Sequence, residues 1–570
     1  MPGVVAPKDP TMKRKGFYIM RNKAVAGSPQ PDGRGIQFLY MNDGRMLNAA
    51  RLVGGITDES ILDLMKTAEG FKKLVHSVGV TVEMDEHEEV VDFYLQMYGK
   101  TDVYRSGSNI KIPVKADGME MVLDLTTCDW SADDNVPGQI RFEFPKAGML
   151  ATVAVKFYLH DGFDVPEVED EDPVDFASEA YSTLLDKGIM QVGNNARLKK
   201  AIEKAKAGED VTIAFIGGSI TQGAGAIPIN KECYAYKTFQ GLCRLAGKGE
   251  DENIHYIKAG VGGTPSELGM LRYEKDVLRD GTVTPDIVVV EFAVNDAGDE
   301  TGGECYDSLV RKILAAENKP AVILEFAVFA DDWNLQERFV PVGEAYQLPM
   351  VSTRDIVVEQ FYKKPGAGRV VSKNQFFYDS FHPTNAGHTF MAGGLIRLME
   401  MVDKAPMDED NLDLDATAAP IGGEFQKVQR IDRVINKDYA VIHPGSFCEV
   451  DTDLQCVEQD MNLTSTPEFP DNWHYAGGKG EAFQPLTMDI TCSALLMINK
   501  DTASPMGGKA EVWVDGEKVL TVDPRKNGWT HCNALICFRG RECKQYHVEV
   551  RMAPGDEDKW FTILGFGYVK

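Results

Sequence analysis

The chain has 570 residues, with 60 Lys and Arg against 87 Asp and Glu, so its formal net charge is −27. A field of this sign repels phosphate polymers and anionic lipid surfaces, which argues against nucleic acid and membrane partners. Hydrophobic residues make up 43% and charged residues 26% of the chain, which excludes a disordered chain and a disulfide-stapled miniprotein. At about 100–200 residues per domain, the length predicts roughly three or four domains.

The first twenty residues include basic residues but no apolar run of signal-peptide length. No stretch of about 18 apolar residues occurs, so the sequence predicts no membrane-spanning helix. Ten cysteines are thinly spread over the chain. We therefore expect a cytoplasmic protein with reduced thiols.

Two acidic stretches that contain proline divide the chain, at residues 165–173 and 404–423. Like charges repel each other and proline interrupts helices, so both stretches are typical of connectors. The sequence thus predicts a β-rich accessory domain at 1–175, a central domain at 190–405 and a third domain at 421–570.

In the first domain, Thr57 is placed to cap a helix whose apolar residues recur at helical spacing from Ile61 to Val75. Strand-like runs follow from residue 110 onward. Asp117-Gly118 between the first two runs is typical of a hairpin turn. No catalytic pattern stands out in this domain.

The central domain alternates between apolar strand-like runs and amphipathic helices. Ile287–Val290 and Val322–Leu324 are continuously apolar, as expected of parallel strands that are buried on both faces. Such alternation predicts an α/β fold with right-handed crossovers. The predicted strands are 211–216, 254–258, 287–292 and 321–326, and the predicted helices are 195–207, 234–245, 266–278, 306–316, 337–346 and 385–402.

The third domain is dominated by strand signals. Residues 511–522 form a clear hairpin pattern that turns at Asp515-Gly516, and alternating runs return at 546–552 and 560–569. We expect a β-sandwich of the jelly-roll type.

A serine follows the first strand of the central domain, in the segment Ile216-Gly-Gly-Ser219-Ile-Thr221. Open α/β sheets place their sites at the carboxyl ends of strands. The segment lacks the Gly-x-Gly-x-x-Gly of dinucleotide sites and the Gly-Lys-Ser/Thr of phosphate loops, and Thr221 breaks the Gly-x-Ser-x-Gly elbow of α/β-hydrolases. Taken alone, a structural glycine turn explains it equally well.

Three further segments follow in the same domain: a glycine loop at 259–266, Phe292-Ala-Val-Asn295-Asp296, and Tyr378-Asp379-Ser-Phe-His382-Pro. In this order, the four segments resemble the Gly-Asp-Ser-like turn, glycine loop, Gly-x-Asn-Asp segment and Asp-x-x-His segment of the SGNH hydrolases, also called GDSL-type esterases. The resemblance covers roughly residues 190–405. It implies a flavodoxin-like three-layer α/β/α domain and a carboxylic ester hydrolase.

Carried over residue by residue, the resemblance makes Ser219 the nucleophile, His382 the general base and Asp379 the group that orients the imidazole. The backbone N–H groups of Ser219 and Gly263 and the side-chain amide of Asn295 would form the oxyanion hole. Two departures concern neighbours of these groups: Gly218 replaces the usual Asp, and Ala293 replaces the first Gly of Gly-x-Asn-Asp. Neither departure touches a reacting group.

We expect no metal and no cofactor. A group of residues between His531 and His547 includes Cys532, Cys537 and Cys543, but its spacing fits no paired zinc pattern. Buried reduced cysteines explain it better. His388, six residues after His382, is interpreted as a packing residue.

The domains that flank the catalytic segments bear on the substrate. The sequence shows no apolar lid of the kind that would favour a lipid substrate. Bacterial carbohydrate esterases of this family, in contrast, join their catalytic domain to jelly-roll or carbohydrate-binding-like domains. Trp333 follows a strand on the carboxyl side of the sheet and is the predicted substrate contact. Aromatic faces suit sugar rings, but Trp is also a common core residue. The tryptophans of the third domain are therefore left open between sugar binding and packing: Trp473, Trp513, Trp529 and Trp560.

The sequence thus predicts a cytoplasmic serine esterase that removes O-acetyl groups from xylan- or mannan-derived oligosaccharides. The alternatives are a general short-chain acyl esterase or thioesterase, and a glycan-binding protein without turnover. In a further alternative, the flanking domains only assemble the protein. The sequence leaves open the deacetylated hydroxyl and the oligomeric state, a homo-oligomer included.

Overall fold

The structure is a computed structural model and describes residues 14–168, 171–249, 252–364, 366–478 and 483–570. Most of the segment on which the signal-peptide expectation rests, residues 1–13, lies outside these ranges. So do residues 169 and 170 of the predicted connector at 165–173.

In its described residues, the N-terminal part holds two antiparallel sheets and three α-helices. Its elements are β1 (Gly16–Ala26), β2 (Ser28–Pro29), β3 (Gly35–Tyr40), α1 (Arg45–Leu52), α2 (Glu59–Met65), α3 (Ala68–Leu74), β4 (Val75–Glu83), β5 (Val90–Gly99), β6 (Asn109–Lys115), β7 (Met121–Asp124), β8 (Asp134–Phe144) and β9 (Leu150–Leu159). The strand orders are β1-β9-β4-β7 and β2-β3-β8-β5-β6. Both sheets and the helices enclose one apolar core that includes Phe71, Val80, Phe93 and Phe157.

Two sequence-based details of this part are wrong. The single helix predicted from Ile61 to Val75 is two helices, because Asp58 caps α2 and Thr67 accepts the Gly70 N–H to start α3. Asp117-Gly118 closes no hairpin: β6 pairs with β5, while β7 pairs with β4 in the other sheet. β6 buries alternate apolar side chains in the core and β7 buries Leu123 there, so the chain passes between the sheets and each run covers one side of the shared core.

The central part is built around a six-stranded sheet. Its elements are α4 (Glu179–Lys187), β10 (Ile189–Gln191), α5 (Ala196–Ala207), β11 (Val211–Gly217), α6 (Ser219–Gln222), α7 (Ile229–Glu232), α8 (Tyr234–Ala246), β12 (Ile254–Gly260), α9 (Ser266–Asp276), β13 (Ile287–Glu291), α10 (Glu304–Leu314), β14 (Ala321–Phe326), α11 (Gln336–Ala345), β15 (Met350–Ser352), α12 (Thr353–Phe361), α13 (Lys373–Phe376) and α14 (Asn385–Lys404). The strand order is β10-β15-β14-β13-β11-β12. Strands β11 to β15 are parallel, and β10 joins antiparallel at the edge.

The parallel strands run in the order second, first, third, fourth and fifth, which is the flavodoxin-like order. Alternate residues of β11 point to opposite faces: Ile213 and Phe215 pack with α8 and α14, whereas Ala214 and Ile216 pack with α9 and α10. The result is a three-layer α/β/α sandwich. The sequence-based prediction missed β15, which is only three residues long and runs directly into α12.

The C-terminal part holds two five-stranded antiparallel sheets and a two-stranded ribbon. Its elements are β16 (Gln429–Ile431), β17 (Val441–His443), β18 (Cys456–Val457), β19 (Thr466–Pro467), β20 (Trp473–Tyr475), β21 (Leu486–Cys492), β22 (Ala494–Asp501), β23 (Ala510–Val514), β24 (Glu517–Val522), β25 (His531–Phe538), β26 (Lys544–Met552) and β27 (Phe561–Val569). One sheet has the order β16-β27-β22-β25 with β20 paired to β27, and the other has the order β17-β21-β26-β23-β24.

The two large C-terminal sheets face each other across one apolar core. The predicted hairpin at Asp515-Gly516 joins β23 to β24, and both turn residues have positive φ, as a two-residue hairpin turn requires. The jelly-roll connectivity stays a prediction.

The C-terminal part packs directly on the central part. Phe425, Leu496 and Leu564 belong to the same apolar cluster as the side chains of α9 and α10. Gly567 on β27 permits this approach, since an added Cβ would lie 2.3 Å from Leu271 Cδ2. Among the helices of the described ranges, none is long and apolar enough to cross a membrane.

Candidate active site

Ser219 is the first residue of α6, directly beyond the carboxyl end of β11. Gly218 precedes it, and an added Cβ at this glycine would lie 2.3 Å from Asn295 Oδ1. The Asn295 amide therefore occupies the space that a side chain at position 218 would need. This gives a steric reason for the departure at Gly218, where the resembling family carries Asp.

His382 and Asp379 lie on the loop between α13 and α14. The Asp379 carboxylate accepts the backbone N–H groups of Phe381 and His382, each at 2.8 Å, which closes a tight turn around the carboxylate. His382 Nδ1 lies 2.8 Å from Asp379 Oδ2, and His382 Nε2 lies 3.0 Å from Ser219 Oγ. The structure therefore brings the three residues into one continuous hydrogen-bonded chain.

The surroundings keep Asp379 ionised. Burial raises the pKa of Asp379, but the neighbouring His382 and the N–H donors of the turn lower it by more, so the net pKa lies below its ordinary value. An ionised carboxylate at this position accepts the Nδ1–H of His382 and leaves Nε2 facing the serine hydroxyl.

The predicted oxyanion donors surround Ser219. An added Cβ at Gly262 would lie 3.8 Å from Ser219 Cβ, which places the glycine loop beside the serine. The Gly262 N–H donates to Gln222 Oε1 at 2.9 Å. Within the described ranges, the backbone N–H groups of Ser219 and Gly263 donate to no other group of the chain. They remain available to a ligand, with the Asn295 amide beside them.

Buried polar side chains support the strand ends beneath the site. Arg272 on α9 is fully buried and donates to the carbonyls of Gly217 and Ala259, each at 2.6 Å. It therefore ties the ends of β11 and β12 together. Asp296 accepts from the Ser266 N–H and hydroxyl at 2.9 and 2.6 Å, which fixes the end of the segment that carries Asn295. Sequence reasoning missed both supports, because their partners come from other strands and helices.

The C-terminal part reaches the glycine loop at 259–266, which carries the predicted oxyanion donor Gly263 and which we call the oxyanion loop. His531 Nε2 lies 3.0 Å from the Gly263 carbonyl, and its Nδ1 lies 3.2 Å from Asp501 Oδ2. Gln455 Nε2 donates to the Gly262 carbonyl at 2.8 Å. Trp529 covers Gly263 so closely that an added Cβ would lie 2.7 Å from its ring.

The structure distinguishes the four tryptophans of the third domain by their exposure. Trp529 is 44% exposed beside the oxyanion loop, whereas Trp473 is buried in the sandwich core. Trp513 and Trp560 are half-buried. In the sequence, only the abundance of Trp in the last third pointed to these residues as candidates for a substrate contact.

The predicted contact Trp333 lies in the loop after β14 and is half-buried. Its ring stacks on Phe329 with centroids 5.8 Å apart, and Phe329 meets Phe381 edge-on at 5.0 Å. Phe381 is 46% exposed and directly precedes His382. The structure thus places Trp333 in an aromatic cluster that ends at the loop of the histidine.

His388 does not belong to the hydrogen-bonded chain of Ser219. It is fully buried, accepts the Tyr234 N–H on Nδ1 at 3.1 Å and faces the Ala224 carbonyl with Nε2. Burial lowers the pKa of His388 to about 3, so the ring is neutral and structural. In the described part of the chain, no group of three His, Cys, Asp or Glu side chains is arranged to hold a metal ion.

Residues 215–390 match the GDSL-like Lipase/Acylhydrolase family. The chain is similar to a two-domain esterase (CEX) active on acetylated mannans, at 28% identity over 68% of this chain and 99% of that chain, with a TM-score of 0.56. The structure of CEX co-crystallized with mannopentaose gives 28% identity, 67% and 98% coverage and a TM-score of 0.55.

A catalytic mutant of Axe2, an acetylxylan esterase from Geobacillus stearothermophilus, is more distant, at 16% identity over 36% of this chain and 98% of that chain, with a TM-score of 0.26. No curated protein sequence matches the chain. The match at 215–390 spans the strand that leads to Ser219, the glycine loop, Asn295, Asp379 and His382. Residues 215–390 are therefore similar to hydrolases of the GDSL-like Lipase/Acylhydrolase family, and the protein is a carboxylic ester hydrolase.

Proposed function

We propose that the protein is a serine esterase that removes O-acetyl groups from acetylated oligosaccharides derived from mannan or xylan. The observation that carries the proposal is the chain from Asp379 through His382 to Ser219, with contacts of 2.8 and 3.0 Å, at the carboxyl end of the sheet. The similarity to an esterase named as active on acetylated mannans supports a sugar ester as the substrate and favours mannan over xylan.

In this proposal, Ser219 Oγ attacks the acetyl carbonyl while His382 Nε2 accepts the hydroxyl proton. The tetrahedral intermediate collapses to an acetyl-serine as the C–O bond to the sugar breaks, and His382 returns the proton to the leaving sugar oxygen. Water then attacks the acetyl-serine with His382 again as base, and acetate leaves. Asp379 stabilises the imidazolium that forms in each half of the reaction.

The negative oxygen of each tetrahedral intermediate needs preorganised donors. The backbone N–H groups of Ser219 and Gly263 and the Nδ2 amide of Asn295 would supply them. Removal of one such donor typically costs about 10²–10³ in kcat. No step of this mechanism calls for a metal or a cofactor.

Two exposed aromatic side chains are suited to the sugar. Trp529 lies over the oxyanion loop, and Phe381, backed by Phe329 and Trp333, lies beside the base. Aromatic faces provide rigid apolar area for the C–H faces of a pyranose ring. We infer that a sugar unit of the oligosaccharide stacks on Trp529.

The ten cysteines are all free thiols, which supports the proposal of a reducing, cytoplasmic location. The substrates would then be imported oligosaccharides. A homo-oligomer stays a prediction.

The deciding measurement is acetate release from acetylated manno- and xylo-oligosaccharides by the purified protein and its Ser219→Ala variant. We expect release from the manno-oligosaccharides and a loss of more than about 10³ in the variant, since the nucleophile is removed. Ser182→Ala, on the exposed side of α4 in the same domain, is the matched control and should release acetate at the native rate.

Each other outcome has a defined meaning. Serine-dependent cleavage of p-nitrophenyl acetate without release from either glycan would contradict the sugar proposal and favour a general short-chain esterase. Acetate release that persists in Ser219→Ala would remove Ser219 from the mechanism. Glycan binding without cleavage of any ester would favour a glycan-binding role.

A further inference from the structure

A lysine of the N-terminal part is buried against the loop that carries the proposed base. Lys23 lies on β1 and is only 2% exposed. Its Nζ donates to the Phe377 carbonyl at 2.7 Å and also to the Asn374 carbonyl. Phe377 is two residues before Asp379, and the next amide, that of Tyr378, donates to the His382 carbonyl at 2.8 Å. The lysine therefore touches the first residue of the turn that holds Asp379 and His382.

An irregularity in β1 aims this side chain. Met20 pairs with Val155 of β9, but Lys23 pairs with Val153, so one extra residue is inserted in β1 between the two pairs. Asn22 in this stretch has a φ of 51°, in the left-handed region that residues other than glycine rarely adopt. A β-bulge re-aims the following side chain, and here that side chain is Lys23. Without the bulge, the side chains that follow it on β1 would point to the opposite face.

A second side chain, from the segment before the central domain, contacts α13, the helix that leads into this loop. Glu171 accepts from Arg369 Nη2 at 3.1 Å and from Asn374 Nδ2 at 3.0 Å. Asn374 is thus held by two hydrogen bonds: its carbonyl accepts from Lys23, and its side-chain amide donates to Glu171. Burial lowers the pKa of Lys23 to about 7, and the carboxylates of Glu171 and Asp379 oppose this by favouring the ammonium.

We propose that Lys23 is a positioning residue of the esterase: through Phe377 and Asn374, it fixes the turn that presents Asp379 and His382 to Ser219. The inference rests on the proposed function, since it assigns the lysine to the proposed base. On this inference, the N-terminal part contributes a residue that supports the active site and is more than a separate accessory domain. Lys23 itself touches no reacting atom.

Loss of the two contacts would let the loop shift, and a displacement of about 1 Å at a catalytic group costs about 10²-fold in rate. The effect should fall on kcat rather than on KM, because Lys23 touches no reacting atom and acts only through the turn that carries the base. It should also fall on the reaction of Ser219 with a small organophosphate, since that reaction uses the same base but no sugar contact.

The test compares Lys23→Met with Lys15→Met in the full chain. Lys15 is an exposed lysine just before β1 that pairs with Asp164, so it is a matched control. We measure kcat and KM for p-nitrophenyl acetate and the rate of Ser219 phosphorylation by paraoxon. For Lys23→Met we expect a 10- to 100-fold loss of kcat, a KM within twofold of native and an equal loss in the phosphorylation rate. Lys15→Met should match the native protein in all three.

Glu171→Gln keeps the proposal testable if Lys23→Met does not fold. The substitution retains the size of the side chain but weakens its hydrogen bonds with Arg369 and Asn374. We therefore expect a fall in kcat that is smaller than in Lys23→Met, with unchanged KM. In the double variant, the two losses should combine to less than their product, because both act on one turn.

The failure of this inference and of the proposed function can be told apart. If Ser219→Ala is inactive but Lys23→Met and Glu171→Gln keep native kcat and phosphorylation rates, the positioning role is wrong and the esterase mechanism stands. If Ser219→Ala keeps its activity, the proposed function is wrong. A loss in Lys23→Met that appears only in KM would also overturn the positioning role.

Discussion

At the scale of single residues, the position of the Asn295 side chain requires a glycine at position 218. The SGNH hydrolases that this chain resembles carry Asp before the nucleophile, but here the Asn295 amide lies where the Cβ of residue 218 would be. The buried Oδ1 of Asn295 has no hydrogen-bond partner in the described part of the chain, so the amide is held by packing against Gly218. Any side chain at position 218 should therefore displace the Asn295 amide, the proposed oxyanion donor.

We predict that Gly218→Asp, which restores the residue usual in the family, lowers kcat by about 10- to 100-fold with a smaller change in KM, because Asn295 is pushed out of line. Steady-state kinetics on p-nitrophenyl acetate measure this. Gly298→Ala is the control, since nothing lies within 4 Å of an added Cβ at that glycine three residues after Asn295. A native kcat in Gly218→Asp would show that the amide is not confined by the glycine.

At the scale of elements, the end of β13 buries a carboxyl group beneath the site. Glu291 is fully buried, its Oε2 lies 3.3 Å from Thr221 Oγ1, and Thr221 bonds to the Tyr234 hydroxyl. Burial raises the pKa of Glu291 to about 8; the Thr221 contact opposes this rise and the neighbouring Asp296 adds to it. At a pH above the ordinary pKa of a carboxyl group, the unfolded chain therefore loses the proton of Glu291, whereas the folded protein keeps it up to a pH of about 8.

This difference sets the sign of a pH effect on stability. Between the ordinary pKa of a glutamate, about 4.3, and the folded value of about 8, the folded state binds more protons than the unfolded state. The free energy of unfolding should therefore fall as pH rises through this window, by at most about 1.4 kcal/mol per pH unit for one group.

We predict that Glu291→Gln, which cannot ionise, reduces the fall in melting temperature between pH 5.5 and pH 8. Thermal unfolding of the native protein and the variant at both pH values measures it. Glu179→Gln, at the exposed start of α4, should retain the native pH dependence. A variant of Glu291 with the full native pH dependence would contradict the assignment.

At the scale of the whole molecule, the site is assembled from distant parts of the chain. The C-terminal part supplies Trp529 and His531 beside Gly263, and the N-terminal part supplies Lys23 beneath the loop of Asp379. A buried charge cluster joins the central and C-terminal parts as well, since Lys275 contacts Asp276 and Glu468, each at 2.8 Å. These contacts indicate that both flanking parts pack against the segments that carry the site residues.

We predict that Trp529→Ala raises KM for acetylated oligosaccharides by about 10-fold, since loss of aromatic stacking costs about 0.5–1.5 kcal/mol and exposed apolar area is lost in addition. The KM for p-nitrophenyl acetate should change less, because that ester has no sugar ring. Parallel kinetics on both substrates measure the difference. Trp513→Ala, at the half-buried position of the otherwise buried strand β23, is the control and should leave both KM values unchanged. Equal changes for both substrates would show that Trp529 acts on the oxyanion loop and not on the sugar.

The sequence by itself determined the local features. The blocks around Ser219, Asn295 and His382 lie at strand ends and in a short turn, where residues close in sequence create the geometry, and four of the five parallel strands follow from apolar runs. It also determined the hairpin at Asp515-Gly516, which depends on two adjacent residues with positive φ.

Only the tertiary structure decided which distant residues complete the site. His531 meets Gly263 across 268 positions of sequence, and Lys23 meets Phe377 across 354. Nothing in the residues next to Lys23 or Trp529 marks them as functional, because their environment comes from sheets that pack against the central domain. The pairing of β6 and β7 with different strands was hidden for the same reason: hydrophobic alternation specifies that a strand has a buried face, whereas the packing of whole sheets decides which partner covers it.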